Sequence, residues 1–211
     1  MESEHYITAF VGLMGTLIGA GVSFFANVYQ SSKEAKLRVQ EKIFDKRINT
    51  HEEILAFCQV MRTTISTHLA DEQNNAITYP MLLTNRERYS NFIVNFTQVL
   101  GRNSIWMDIE LYRYMNYIQD YLESLSSNIR DIEENRFPLV GVVIKQDFVD
   151  MAVELEKEAF KFFEKDIYSI NLKMKKGHHK FPREETVKKF ENTQLNKNIA
   201  IIKEILGKQK P

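Results

Sequence analysis

The sequence predicts an all-α chain in which one N-terminal transmembrane helix is followed by an antiparallel bundle of about five helices. Residues 7–28 form a single uncharged stretch. Eight Gly and four Pro punctuate the chain thinly, and the long intervals between them repeat apolar residues every three or four positions rather than alternately. The charged fraction of 27% beside a hydrophobic fraction of 44% is ordinary globular usage, and the formal net charge is zero. That balance argues against a whole-domain nucleic-acid binder, which carries a basic excess.

Lipid constrains structure more than water does, and the opening stretch meets that constraint. Its 22 residues rise roughly 33 Å as a helix, enough for a hydrocarbon layer of about 30 Å, and a helix satisfies its backbone amides without water. Glu2 and Glu4 precede it, whereas Lys33, Lys36, Arg38, Lys42, Lys46 and Arg47 follow against only Glu34, Glu41 and Asp45. Positive flanks stay inside, so the expected topology is a single-pass inner-membrane protein with its N-terminus outside and a cytoplasmic domain from residue 31 onward, residues 1–30 being the anchor. An acidic leader before a long apolar core does not fit a cleaved signal peptide. Cys58 is the sole cysteine, which excludes an intrachain disulfide. Within the span Thr8, Gly12, Gly15, Gly19 and Ser23 recur at spacings of three and four. They form a small-residue face suited to packing a second helix, so a homo-oligomer or another membrane protein is the expected partner.

Between Gly21 and Pro80 no Gly or Pro occurs, and Leu37, Phe44, Ile48, His51, Leu55, Cys58, Ile65 and Leu69 keep helical spacing, predicting a helix over 32–69. The polar run 71–75 ends it. Thr84 and Glu87 read as the capping box of a second helix with Tyr89, Phe92, Ile93, Phe96 and Leu100 inward, stopped by Gly101. Asn103 or Ser104 opens a third, carrying Trp106, Ile109, Tyr112, Met115, Leu122, Leu125, Ile129 and Ile132. Pro138 interrupts. The apolar run 139–144 reads as a connector or a helix start, because an isolated strand would have no partner. A fourth helix follows over 146–176, with Phe148, Met151, Leu155, Phe162, Ile167, Ile170 and Met174 inward and Gly177 as its stop. The last starts near Pro182, tolerated at the first helical position, and carries Val187, Phe190, Ile201, Ile202, Ile205 and Leu206 up to Gly207.

Nucleotide-binding glycine loops, paired Cys-x-x-Cys, His-Glu-x-x-His and EF-hand loops are absent from the sequence, so neither a metal nor a cofactor is expected. His51 followed by Glu52 and Glu53 lacks the second histidine of a zinc motif, and Cys58 falls on an apolar helical face with no base marked beside it. Arg62 and His68 are separated by five residues. This spacing resembles the Arg-x(4–6)-His motif of HEPN ribonucleases, all-α proteins in which, as the resemblance implies, the arginine steadies a phosphate and the histidine assists transfer at a dimer interface. On that alternative Arg62 and His68 would be catalytic. Lys173, Lys175, Lys176, Lys180 and Arg183, with His178 and His179 among them, form a basic cluster. In an up-and-down bundle the fourth helix returns toward the membrane, so this cluster reads as a patch for anionic lipid, with nucleic acid as the rival ligand.

The Gly-rich span, the basic helix after it and the run containing Lys46, Arg47, His51, Glu52, Glu53, Ile54 and Leu55 resemble a loose class of bacterial single-pass membrane-anchored helical proteins. That resemblance implies an anchored helical architecture and no defined activity. Some small anchored helical proteins act in phage defence, a context that no residue here selects; a membrane-perturbing effector whose assembled spans breach the bilayer is a further alternative. The residues themselves point first to a membrane-tethered interaction module.

Overall fold

The computed structural model describes residues 2–70, 76–168 and 180–207. The chain is mostly helical and divides into two units, Met1–Asp45 and Lys46–Pro211. A single helix, α1 (Glu2–Arg62, 61 residues), runs through both. The remaining elements in order are β1 (Thr64–Ala70), β2 (Ala76–Pro80), a 3-10 turn (Met81–Leu83), α2 (Arg86–Asn103), α3 (Ile109–Asn128), a second 3-10 turn (Glu134–Arg136), α4 (Phe137–Phe162), a π-helical turn (Phe163–Tyr168), α5 (Arg183–Glu191), α6 (Gln194–Lys197) and α7 (Ile199–Gly207).

The all-α expectation holds for most of the chain and fails at one place, where the helix predicted to reach residue 69 stops at Arg62 and gives way to a β-hairpin. Thr63, Thr64, Ile65 and Thr67 are all β-branched, and such side chains lose χ1 freedom in a helix while fitting a pleated strand. The Thr63 amide still reaches back to the Gln59 carbonyl at 3.1 Å and its hydroxyl donates to the same oxygen at 2.8 Å, closing the helix. Beyond it the strands pair antiparallel, Ile65 opposite Tyr79 and Ser66 opposite Thr78, with a register irregularity before Ala70. An isolated two-stranded hairpin is marginal in water. This one is held because β2 lies on α4. Gly141 permits that approach: a Cβ there would lie 3.0 Å from the Tyr79 Cβ and 3.3 Å from the Leu83 Cβ.

Five further points differ from the sequence expectation. Asn85, not Thr84, caps α2, its side chain accepting from the Arg88 amide at 2.8 Å while the Thr84 hydroxyl donates to the Met81 carbonyl. Gly101 is no stop, since α2 continues to Asn103. Asp108 caps α3 by accepting from the Leu111 amide at 2.9 Å, which leaves Trp106 in the connection. Pro138 opens α4 rather than interrupting the chain, so the run 139–144 forms the first turns of that helix, with Val140 and Ile144 wholly buried. The single terminal helix expected from residue 182 is three short ones, with Pro182 capping the first and Thr193 the second. Asn192, Thr193 and Asn196 cluster at the break, and such side chains compete for backbone partners. Of the predicted fourth helix, the residues Ile170, Met174 and Gly177 lie outside the described residues.

Within Lys46–Pro211 the core is aromatic and continuous. Phe96, Tyr121, Phe137, Phe148 and Phe162 are its largest fully buried side chains, joined by Ile54 and Met61 from α1. Phe57 packs edge-on against Phe92 and Phe96 with centroids 5.7 and 5.1 Å apart, and Tyr121 stands perpendicular to Phe148 at 6.1 Å. Both are favoured aromatic geometries. The center of the arrangement is α4, which packs on α3, β2 and α6.

Candidate functional site

In Met1–Asp45 the usual relation between apolarity and burial is inverted. Phe10, Leu13, Met14, Leu17, Ile18, Val22, Phe24, Phe25, Val28 and Tyr29 are all exposed, Phe25 by 74%. At about 100° per residue these bulky side chains sweep roughly half the circumference of the helix, while Gly12, Gly15, Gly19 and Ser23 occupy the opposite side. A Cβ at Gly12, Gly15 or Gly19 would meet no heavy atom within 4 Å beyond the adjoining backbone of its own helix. The predicted small-residue face is thus an open strip; the side chain of Thr8 lies outside the described residues. Thr16 adds no unmet donor, because its hydroxyl bonds to the Gly12 carbonyl at 2.6 Å, the arrangement that lets a hydroxyl enter an apolar medium. This is one helix, near the N-terminus, long and apolar enough to cross a membrane.

The candidate polar residues of Lys46–Pro211 are distributed rather than assembled. Arg62, the last residue of α1, turns its guanidinium onto the Glu156 carboxylate of α4, with Nη1 3.2 Å from Oε1, and this hydrogen bond raises its pKa further. His68 stands on β1, and its side chain lies outside the described residues. Because α1 ends at Arg62, the two residues of the HEPN-like spacing belong to different elements. Cys58 is buried, and that burial, with Glu156 nearby, pushes its thiol up to about 12, so it rests protonated near neutral pH. His51 is also buried, its ring 4.9 Å from Phe163 and 5.9 Å from Phe160. Burial lowers its pKa, Glu52 opposing, and its Nε2 finds no hydrogen-bond partner among the described residues. No group of three or more His, Cys, Asp or Glu able to hold a metal occurs among the described residues.

Of the basic cluster, Lys180 donates to Asp120 of α3 at 2.7 Å and Arg183 is exposed at the start of α5. Lys173, Lys175 and Lys176 lie outside the described residues.

Two arrangements escape a reading of the sequence. Asp147 of α4 is buried and accepts three hydrogen bonds: from the Gln194 amide at 2.6 Å, from the Leu195 amide at 2.8 Å and from the Tyr121 hydroxyl at 2.8 Å. It ties the start of α6 to the core, replacing lost solvation with charge-assisted bonds. One sequence signal marked it, since Asp147 interrupts the apolar stripe Ile144, Phe148, Met151 of α4. Beside it opens a cavity of about 300 Å³ lined by Tyr114, Tyr117, Asp150, Glu154, Lys189 and Asn192, among others. Burial pushes the Tyr117 phenol up to about 12, and pushes Tyr114 higher still, so both rings face the cavity as neutral donors.

The fold and this surface define a mostly helical protein with, among the described residues, one candidate membrane-crossing helix, and with an aromatic-cored unit over Lys46–Pro211. Compared with protein-family models, with curated proteins and with solved structures, the chain finds no match.

Proposed function

We propose that the protein is a membrane-tethered interaction module: residues 7–28 cross the inner membrane, the N-terminus faces outward, and the helical unit acts in the cytoplasm by self-association or by docking another membrane protein. The observation that carries the reading is the run of exposed Phe, Leu, Ile, Met and Val on α1 from Phe10 to Val28. Each such side chain left in water forgoes about 1.5–3 kcal/mol of transfer free energy, whereas lipid supplies it to all of them at once. Charge supports the direction, because the Lys and Arg residues between Lys33 and Arg47 hold that flank inside. The open strip of Gly12, Gly15, Gly19 and Ser23 supports a helix partner, since close backbone approach gives van der Waals contact where lipid offers no hydrophobic drive.

The test uses the full chain. It should stay in the pellet after carbonate washing of membranes. In a Cys58→Ser background, a membrane-impermeant maleimide should label Glu2→Cys on intact cells and Lys203→Cys only after permeabilisation. Release by carbonate overturns the anchor; the opposite labelling overturns the orientation. Gly19→Leu should abolish any crosslinked dimer, and a crosslink that survives it removes the small-residue face from the interface.

A further inference from the structure

We propose that the cavity bounded by α3, α4 and α5 binds an aliphatic diamine or polyamine, one ammonium of which replaces Lys189 over the aromatic rings while another meets Asp150 and Glu154. This inference does not rest on the membrane reading.

The cavity already holds a cation supplied by the chain. The Lys189 ammonium lies 4.7 Å from the centroid of Phe181 and 5.7 Å from those of Tyr114 and Tyr117. Three ring faces converging on one ammonium is the geometry by which aromatic sites recognise cations. Its ion pair is weak by comparison, with Glu185 at 3.9 Å. The lysine is carried by α5, none of whose residues is fully buried, while the adjacent Phe190 holds that helix on the rings of Tyr117 and Tyr121 with centroids 5.5 and 6.3 Å apart. Lys189 therefore leaves the rings by rotation of its own flexible side chain, α5 staying in place.

The other wall is acidic. Asp150 and Glu154 sit four residues apart on α4, hence on one face of that helix. Both act on the Tyr114 phenol, where their charges add to burial in raising its pKa. Their present partners are local: Asp150 accepts from Gln146 at 2.8 Å, and Glu154 holds Lys157 of its own helix at 3.3 Å. Exposed pairs of this kind contribute little and exchange readily. Asp147 lines the same cavity, but its oxygens are already committed to Tyr121 and to the amides of Gln194 and Leu195.

This chemistry selects the ligand. Carboxylates reject an anion. A quaternary ammonium ion would satisfy the rings and leave the two carboxylates without a donor. A short methylene chain with an ammonium at each end satisfies both walls, its carbons lying against the tyrosine rings and its N–H groups donating to Asp150 and Glu154.

The experiment is calorimetric titration of the full-length protein in detergent with spermidine, and in parallel with tetramethylammonium, at physiological salt. Spermidine should bind saturably at one site per chain and at least about tenfold more tightly than tetramethylammonium. Lys189→Ala removes the internal competitor and should tighten spermidine several-fold. Asp150→Asn with Glu154→Gln changes only exposed groups and should weaken it by about tenfold or more with an unchanged thermal melt. Absence of saturable binding, equal binding of tetramethylammonium, no tightening in Lys189→Ala, or wild-type affinity in the double variant would each overturn the assignment.

Discussion

Two regions of this molecule use the same kinds of side chain in opposite ways. In Met1–Asp45 the described Phe, Leu, Ile and Val side chains from Phe10 to Val28 point outward from one helix; in Lys46–Pro211 most residues of the same types point inward and pack on one another. The helix α1 belongs to both. Its first half has no inner face to choose, whereas its second half puts Ile54, Phe57, Cys58 and Met61 into the core and keeps Glu52 and Ala56 outside. Apolarity alone therefore does not define a core. What separates the regions is whether polar residues alternate with apolar ones at helical spacing, giving the helix a side that water can cover.

Substitutions that exchange the demands on the two regions should therefore have separable consequences. The largest expected effect is in the core, where Phe148→Ala leaves a cavity among Tyr121 and its neighbours. It should cost about 3–5 kcal/mol, lowering the midpoint of thermal unfolding by roughly 6–20 °C while carbonate-resistant membrane association stays as in wild type. Next comes Leu17→Arg, on the exposed apolar run of α1. An arginine near a span's center costs about 2.5–3.5 kcal/mol of insertion free energy, so the variant should shift from the membrane pellet toward the soluble or aggregated fraction. Its domain should melt as in wild type, and a core that melts early in Leu17→Arg would mean the two regions are not independent.

A weaker effect is expected at the start of the second region. His51 is buried against Phe160 and Phe163, and its pKa lies below the ordinary 6.5. A base whose folded pKa is depressed binds a proton more readily in the unfolded chain. The stability difference is therefore absent well above pH 6.5 and appears as pH falls through that value, disfavouring the fold until the folded pKa is passed. Thermal melts between pH 7.5 and 5 should drop more steeply for wild type than for His51→Leu, and parallel curves would refute the assignment.

The long helices were legible in the sequence because their information is local. Tyr89, Phe92, Phe96 and Leu100 recur at three and four, and all are buried on α2. Met115, Leu122, Leu125, Ile129 and Ile132 follow the same rule from α3 onward. Boundaries were less legible, since several residues nearby could cap and only one does: Asn85 faces the Arg88 amide while Thr84 turns back to Met81. The hairpin is less legible, although Thr63, Thr64, Ile65 and Thr67 are β-branched, because two strands alone are marginal in water and the helix that holds them, α4, lies far along the chain. Of the candidate residues, Gly12, Gly15, Gly19 and Ser23 share one side of α1 because that follows from helical spacing alone. The pair Arg62 and His68 falls on two different elements, and Arg62 is engaged by Glu156.

What the sequence determined by itself is the presence of an apolar helix near the N-terminus and of amphipathic helices after it, since both depend only on the order of side chains along a 3.6-residue period. Tertiary structure decided that Asp147 would anchor α6, that Gly141 would admit β2 against α4, and that Lys189 would rest over Tyr114, Tyr117 and Phe181. The contacts of Asp147 with α6, of Gly141 with β2 and of Lys189 with Tyr114 and Tyr117 join residues distant in the chain, and the burial and ring geometry that give them energy come into being only when the intervening helices pack.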